Sequence, residues 1–299
     1  MNCSSLIPEM KEWLELVRRQ IAAKAPDLLE IFETYANEAL FARRYLDQDL
    51  SGLAQGAEVL EVGAGAYLLS CQLVREGFRV SALEPVGQGF SLFTKFQEMV
   101  LFVARQANCV PTIIASPGES LDIVNRFDFA FSINVMEHVS DVGCVVDRVG
   151  RSLRDGASYR FTCPNYTFPY EPHFNIPTLF SKRLTERLMH RRIFEYDNLP
   201  DPAGTWRSLN WITVGTIERA TRAHPELKVR FNRDMLTDTF IRVTSDPIFA
   251  ARRSPLMRHL ITALVRSGLH RLPSFLPAAA LPTIDCRIQK IVNLGSTRQ

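Results

Sequence analysis

In Val59-Leu60-Glu61-Val62-Gly63-Ala64-Gly65-Ala66, a short apolar run ends in two closely spaced glycines. The helix-like residues from Tyr67 to Leu73 follow directly. Glycines at a strand-to-helix turn let the backbone approach a ligand closely and direct the amides of the helix N-terminus at a carboxylate or phosphate. The stretch predicts a strand, a ligand-binding turn and a helix, and a tight turn without a ligand is the alternative.

Short apolar runs alternate with helical stretches from about Gln55 onward. Repeated β-α alternation predicts parallel strands joined by crossover helices, which is a doubly wound, Rossmann-like α/β sheet. Such a sheet binds ligands at the carboxyl ends of its strands. The predicted strands are 59–62, 79–83, 111–114, 127–133, 158–163, 227–232 and 283–292, and the predicted helices are 68–76, 90–106, 142–153 and 206–223.

An acidic residue ends the second predicted strand, in Leu83-Glu84-Pro85. It follows the glycine turn by roughly 20 residues, the position at which a carboxylate binds ribose hydroxyls. The two features together predict a ligand that contains ribose. A dinucleotide site needs a third glycine where Leu68 stands, so the pattern disfavours a nicotinamide cofactor.

Three blocks in this order resemble a class I S-adenosylmethionine-dependent methyltransferase: Val59 to Gly65, Ala82 to Pro85, and Phe127 to Val139. Ala66, where the family more often has glycine, and Pro117, where many relatives have aspartate, depart from the pattern. The resemblance implies S-adenosylmethionine as cofactor. It places Glu61, Gly63 and Gly65 around the methionyl part, Glu84 on the ribose, Gly118 and Glu119 on the adenine side, and Asn134 within the same cofactor-binding set.

Polar side chains also follow the fourth and fifth predicted strands. Because the carboxyl ends of parallel strands face the same crevice, we expect them to form an acceptor site. A hydroxyl acceptor must lose a proton, and histidine is the usual base near neutral pH. Glu137, His138 and His173 are therefore the predicted catalytic residues, with structural capping as the alternative for each histidine; Tyr166, Tyr170 and Glu171 are expected near them.

The Glu137-His138 pair with a later histidine also resembles the arrangement in quinone-precursor O-methyltransferases and small-RNA 2′-O-methyltransferases, in which a divalent ion holds the acceptor oxygens. Those families have another glutamate where Asn134 stands here. Asparagine is a poorer, neutral ligand, so we expect no functional metal, and a divalent cation is the alternative.

The flanking regions divide the chain further. Residues 1–54 are predicted to form an N-terminal helical cap, 55–234 the methyltransferase core, 235–282 a helical insertion that acts as a substrate or membrane lid, and 283–299 the last core strand and tail. The apolar stripe that predicts the first cap helix consists of Met10, Trp13, Leu14, Val17 and Ile21.

The C-terminal region is basic. A helix from Pro255 to Gly268 would place Leu256, Leu260, Ile261, Leu264 and Val265 opposite Arg258, His259, Thr262 and Arg266. Such a helix could lie on an anionic bilayer, line a pocket for a lipid-linked acceptor, or pack against the core with one solvated face. In the last fifty or so residues the only acidic residue is Asp285. The basic residues there are Arg252, Arg253, Arg258, Arg266, Arg271, Arg287, Lys290 and Arg298.

Composition excludes several classes of protein. The chain has 299 residues, 46% of them hydrophobic and 22% charged, which is typical of a globular fold and not of a disordered or fibrous chain. The net charge of +3 gives no reason to expect nucleic acid as a partner. The six scattered cysteines, the charged first helix and the lack of a long apolar run predict a cytoplasmic protein without a signal peptide or spanning helix.

The sequence as a whole predicts an S-adenosylmethionine-dependent methyltransferase that O-methylates a small-molecule, glycan-precursor or lipid-linked acceptor. Peripheral membrane contact is compatible with it, and the oligomeric state is not predicted. A non-catalytic scaffold or binding subunit that kept the fold, and a nicotinamide-dependent oxidoreductase, are the alternatives.

Overall fold

A computed structural model describes residues 3–85, 91–179, 181–197, 199, 201–245, 250 and 255–291. Phe90, Arg252, Arg253, Val292 and Arg298, which entered the sequence predictions, lie outside the described residues. No described helix is both long enough and apolar enough to cross a membrane.

Within the described residues, seven strands form one sheet, in the order β3-β2-β1-β4-β5-β7-β6. β1 is parallel to β2 and to β4, and β2 is parallel to β3. The order reverses between β1 and β4, which makes the carboxyl end of β1 a topological switch point. This confirms the doubly wound α/β prediction. The strands are β1 Glu58–Val62, β2 Arg79–Leu83, β3 Thr112–Ile114, β4 Phe127–Ile133, β5 Leu153–Pro164, β6 Leu227–Asn232 and β7 Thr283–Lys290.

The described helices flank these strands in chain order. Short 3-10 helices cover Pro26–Leu28, Gly118–Ser120, Leu269–Phe275 and Ala278–Ala280. The α-helices are α1 Cys3–Lys24, α2 Leu29–Tyr45, α3 Asp47–Ser51, α4 Leu68–Arg75, α5 Ser91–Gln106, α6 Val142–Ser152, α7 Lys182–Phe194, α8 Pro202–Ser208, α9 Val214–Arg222, α10 Met235–Ser245 and α11 Pro255–Arg266.

The described residues cluster into two compact units. The first contains residues up to Ile133, then Asp147–Tyr159 and the residues from Lys290; the second contains Asn134–Val146 and Arg160–Gln289. The division into 1–54, 55–234, 235–282 and 283–299 remains a prediction.

The N-terminal helices belong to the core of the first unit. The stripe of α1 is buried as predicted, and Trp13 Nε1 donates a hydrogen bond to the carbonyl oxygen of Leu68, 2.9 Å away. On α2, the buried guanidinium of Arg43 binds Glu76, which follows α4, and Asp47, at 2.9 and 3.0 Å. The cap is therefore fixed to the helix that follows the glycine turn.

The predicted helix 206–223 is wrong, because the structure divides it between α8 and α9. Asp201 caps α8 through the Gly204 N–H, and the Thr213 hydroxyl accepts from the Thr216 N–H to begin α9. Between them, Trp211 has a φ of 62°. A threonine cap requires an extended residue at that position, so one continuous helix cannot form.

Candidate functional site

The glycine turn closes over the end of β2. Gly63 and Gly65 have φ values of 72° and 51°, in the left-handed region that favours glycine. The N–H groups of Gly63 and Ala64 both donate to the carbonyl oxygen of Leu83, at 2.8 and 3.1 Å. The turn is thus fixed against the residue that precedes Glu84.

Glu84 lies directly against this turn, since its Oε2 accepts a hydrogen bond from the Gly65 N–H at 2.8 Å. Burial raises the pKa of Glu84, and the hydrogen bond from Gly65 opposes that shift. The structure therefore brings together two of the residues predicted to bind the cofactor.

Glu61 is buried at the carboxyl end of β1 and accepts a short hydrogen bond from the Ser70 hydroxyl of α4. Burial raises the pKa of Glu61 to about 8; the Ser70 hydrogen bond opposes this, and the negative charge of Glu84 adds to it. Two carboxyl groups therefore give the glycine turn an acidic environment.

The sequence motifs did not identify three residues beside the glycine turn, which are Tyr35, Gln97 and Tyr67. Tyr35 of α2 lies beside Gly65, with Cε1 at 3.8 Å from where a Cβ would stand, and Gln97 of α5 donates to the Gly65 carbonyl oxygen at 2.8 Å. Burial raises the pKa of Tyr35 and of Tyr67 to about 12, and Glu84 adds to both shifts. No local motif marks Tyr35, which a helical stripe places among core residues.

The remaining predicted cofactor residues follow strand ends. Gly118 and Glu119 form the 3-10 turn after β3, and the Glu84 N–H donates to the carbonyl oxygen of Ile114, the last residue of β3, at 3.1 Å. Asn134 follows β4 with a φ of 54°, a conformation that asparagine tolerates better than most residues. Its N–H donates to the Thr162 carbonyl oxygen.

In the second unit, Asn210 holds the loop that carries Glu137 and His138. Its side-chain amide donates to the carbonyl oxygens of Met136 and Val139, at 2.7 and 2.8 Å, and its N–H donates to that of Glu137. The Glu137 side chain is fully buried. Asn210 lies in the break between α8 and α9. Because the sequence pattern predicts a continuous helix there, it gives no indication that Asn210 holds the loop of Glu137 and His138.

The tautomer of His138 follows from its partner. His138 Nδ1 lies 2.8 Å from the Ser208 hydroxyl, which donates its own proton to the Thr205 carbonyl oxygen. Nδ1 must therefore carry the proton that Ser208 accepts, and Nε2 is the basic nitrogen. Burial, followed by the neighbouring His173, lowers the pKa of His138 to about 4, so this ring is neutral at neutral pH.

His173 is held by a carboxylate. Its Nδ1 lies 2.5 Å from Oε1 of buried Glu171, which also accepts from the Tyr166 hydroxyl and from the Phe174 N–H. Because the carboxylate is the acceptor, Nδ1 of the neutral ring carries the proton and Nε2 is its basic atom. Tyr166 stacks on Trp211, whereas Tyr170 is 40% exposed and binds Asn175.

The predicted catalytic residues lie together. One ligand atom each from Glu137, His138 and His173 lies within 4.8 Å of the others, and the two histidine rings are 5.3 Å apart. Carboxylate and imidazole are common ligands of divalent metals, and outer hydrogen bonds such as those of Ser208 and Glu171 orient such histidines. The residues present therefore fit either a general base or a cation.

Comparison with known proteins includes a relative that matches nearly the full length of the chain. An uncharacterized protein of Mycobacterium tuberculosis, from strains CDC 1551 and H37Rv, is 46% identical over 281 residues, which cover 94% of this chain and 95% of the relative. A ubiquinone biosynthesis O-methyltransferase of Nitrobacter winogradskyi is 29% identical over 101 residues, which cover 34% of this chain and 36% of that enzyme. No protein-family model matches.

Solved structures with a similar course of the chain include phosphoethanolamine N-methyltransferase 2 of Haemonchus contortus with S-adenosyl-L-methionine. It has a TM-score of 0.48 and 15% identity, and the match covers 86% of this chain and 53% of that one. This chain therefore spans about half of the length of the Haemonchus enzyme.

Proposed function

We propose that the chain, which belongs to one family with the mycobacterial protein, is a class I S-adenosylmethionine-dependent methyltransferase that O-methylates a small-molecule acceptor. Bound S-adenosylmethionine supplies a methyl group on a sulfonium, which is already activated for displacement. The protein's task is then to bind the cofactor, position the acceptor and remove its proton.

The acidic glycine turn carries the proposal for the cofactor. Glu61 and Glu84 lie at the ends of adjacent strands, and the charge of Glu84 raises the pKa of Glu61. A dinucleotide would bring a pyrophosphate, whose negative charge repels either carboxyl group as it ionises. S-adenosylmethionine brings a cationic sulfonium and an ammonium group, so the same pocket favours it. This argues against the nicotinamide alternative.

The pair of His173 and Glu171 carries the proposal for proton transfer. Nε2 of His173 accepts the proton of the acceptor hydroxyl, and the buried Glu171 stabilises the resulting imidazolium through Nδ1. His138 is suited to accept a hydrogen bond through Nε2 and thereby orient the acceptor, since its lowered pKa keeps it neutral. A carboxyl oxygen of Glu137 lies within 4.8 Å of a ring nitrogen of each histidine.

A divalent cation is the second candidate for activation of the acceptor, because the ligand atoms of Glu137, His138 and His173 are close enough to share one ion. Such an ion would lower the pKa of a bound hydroxyl. If His173 acts as the base without a metal ion, we expect turnover to survive dialysis against a chelator. Elemental analysis should then find less than one equivalent of metal. Loss of turnover that zinc or magnesium restores would favour the cation.

The acceptor class is the finer part of the proposal. The basic C-terminal region supports an anionic glycan precursor or a lipid-linked acceptor over a neutral one. The test is transfer of a labelled methyl group from S-adenosylmethionine to a panel of phenols, sugar phosphates and polyprenyl-phosphate sugars, with His190→Asn as the control for His173→Ala. His190 is exposed on α7.

Transfer that requires His173 supports the proposal. Tight binding of the cofactor with no transfer to any acceptor would instead favour the scaffold alternative.

A further inference from the structure

An exposed apolar line runs along the 3-10 helix Leu269–Phe275. Leu269, Leu272 and Phe275 are 49, 58 and 79% exposed. A 3-10 helix has three residues per turn, so side chains three apart lie above one another on one face. These three side chains therefore form a continuous apolar ridge, which we call the Leu-Phe ridge.

The other side of this helix is fixed to the protein. The Thr237 hydroxyl of α10 contacts the His270 carbonyl oxygen and the Ser274 hydroxyl, each at 3.0 Å, and His270 is buried. Farther along, the side-chain amide of Asn165 donates to the carbonyl oxygen of Leu281 at 2.7 Å. The ridge is thus presented by an anchored element.

α11 packs against α10 and against this 3-10 helix, and it adds exposed apolar groups. Leu256 and Leu260, one helical turn apart, are 71 and 53% exposed, whereas Ile261 is buried. The helical pattern predicts Leu256, Leu260 and Ile261 on one apolar face, and the structure buries only Ile261 of the three.

The charge of this segment indicates what covers the ridge. Residues 247–284 contain Arg252, Arg253, Arg258, Arg266 and Arg271 and no aspartate or glutamate. A second copy of the chain would bring arginines to face arginines, which is unfavourable. An anionic lipid surface is complementary to the apolar ridge and to the arginines. It accepts apolar side chains between its head groups and attracts the positive charges.

We propose that the Leu-Phe ridge, with Leu256 and Leu260 of α11, docks the protein on an anionic lipid bilayer. Docking does not require methyl transfer, so it stands independently of the proposed function. It would bring the enzyme to an acceptor that resides in or at the membrane.

The test is sedimentation of the full chain with vesicles of phosphatidylcholine alone and of phosphatidylcholine with phosphatidylglycerol. We expect at least ~10-fold stronger binding to the anionic vesicles, weakened by high salt and by the double variant Arg266→Gln, Arg271→Gln. Leu272→Ser with Phe275→Ser should lose binding by a similar factor. Leu188→Ser is the matched control, because Leu188 is a leucine of similar exposure, 61%, on α7 and is not part of the ridge.

Circular dichroism and thermal unfolding verify that each variant is folded. The proposal is overturned if the parent does not sediment with anionic vesicles, or if the ridge variant binds them as well as the parent does. It is also overturned if the ridge instead supports a concentration-dependent dimer that Leu272→Ser and Phe275→Ser abolish. Cofactor binding and methyl transfer to soluble acceptors, measured without vesicles, test the proposed function separately.

Discussion

His173 Nδ1 lies 2.5 Å from Glu171 Oε1, and the Glu171 side chain is buried. The carboxylate also accepts the Phe174 N–H at 2.8 Å, so its position is fixed by the backbone that follows His173. A histidine held in this way has one defined tautomer and a defined ring plane. The pair is therefore suited to remove a proton from an acceptor hydroxyl.

Substitution of His173 tests this role. We expect His173→Ala to lower turnover by about 10²- to 10⁴-fold, the usual contribution of a general base, with unchanged affinity for the cofactor. Glu171→Gln keeps the shape but removes the charge that stabilises the imidazolium. It should move the acidic limb of the kcat/KM profile to lower pH and reduce the plateau. Equal turnover of His173→Ala and the parent would exclude His173 as the base.

Glu61 should make stability depend on pH. Below the ordinary carboxyl pKa of 4.5, folded and unfolded chains both carry its proton, so its contribution is fully present there; the folded chain retains the proton up to about pH 8. As pH rises through this window the unfolded state ionises first, and stability falls, by at most about 5 kcal/mol. Urea unfolding of the parent and of Glu61→Gln between pH 5 and 8 measures this, and parallel curves would contradict it.

The same raised pKa predicts proton release when the cofactor binds. At pH 7 the Glu61 carboxyl carries its proton, because its pKa is about 8. A cationic sulfonium or ammonium group in the pocket favours the charged form, so binding should expel up to one proton. Calorimetry in buffers of different ionisation enthalpy detects this release. Glu61→Gln should show no buffer dependence, and a buffer-independent parent would count against the assignment.

Arg43 should be a main contributor to the stability of the cap. It is buried and binds Glu76 and Asp47 at once. Because its removal leaves a buried carboxylate without its cation, Arg43→Ala should lower the free energy of unfolding by about 3–5 kcal/mol. Arg44→Ala, at the exposed neighbouring position, should change it by less than about 0.5 kcal/mol. Similar losses in the two variants would show that the ion pair adds nothing.

Sequence patterns predicted the sheet well because its strands carry strong local signals. The predicted strands 79–83, 127–133 and 227–232 match β2, β4 and β6 residue for residue. β5 begins at Leu153 instead of Ser158. Its first residues, directly after α6, include the polar Arg154 and Asp155 and give no strand signal. The helix 206–223 failed because the Thr213 cap overrides the helical preference of its neighbours.

The predicted site residues were found from motifs that follow strand ends, and the structure brings Glu137, His138 and His173 together. Their supports could not be predicted. Ser208 and Asn210 reach the Glu137-His138 loop from about 70 positions along the chain, and Tyr35 and Gln97 reach Gly65 from other helices. Such contacts depend on tertiary packing, which one sequence does not encode as a local pattern.

Calorimetric titration of S-adenosylmethionine and S-adenosylhomocysteine into the purified chain shows whether the acidic glycine turn binds the cofactor. NAD serves as the competing ligand, and Glu30→Gln, an exposed charge loss on α2, is the control for Glu84→Gln. We expect both sulfur compounds to bind the parent and Glu30→Gln, Glu84→Gln to lose at least ~10-fold in affinity, and NAD not to bind. Binding of NAD, or no binding of either sulfur compound by the parent, would contradict this expectation.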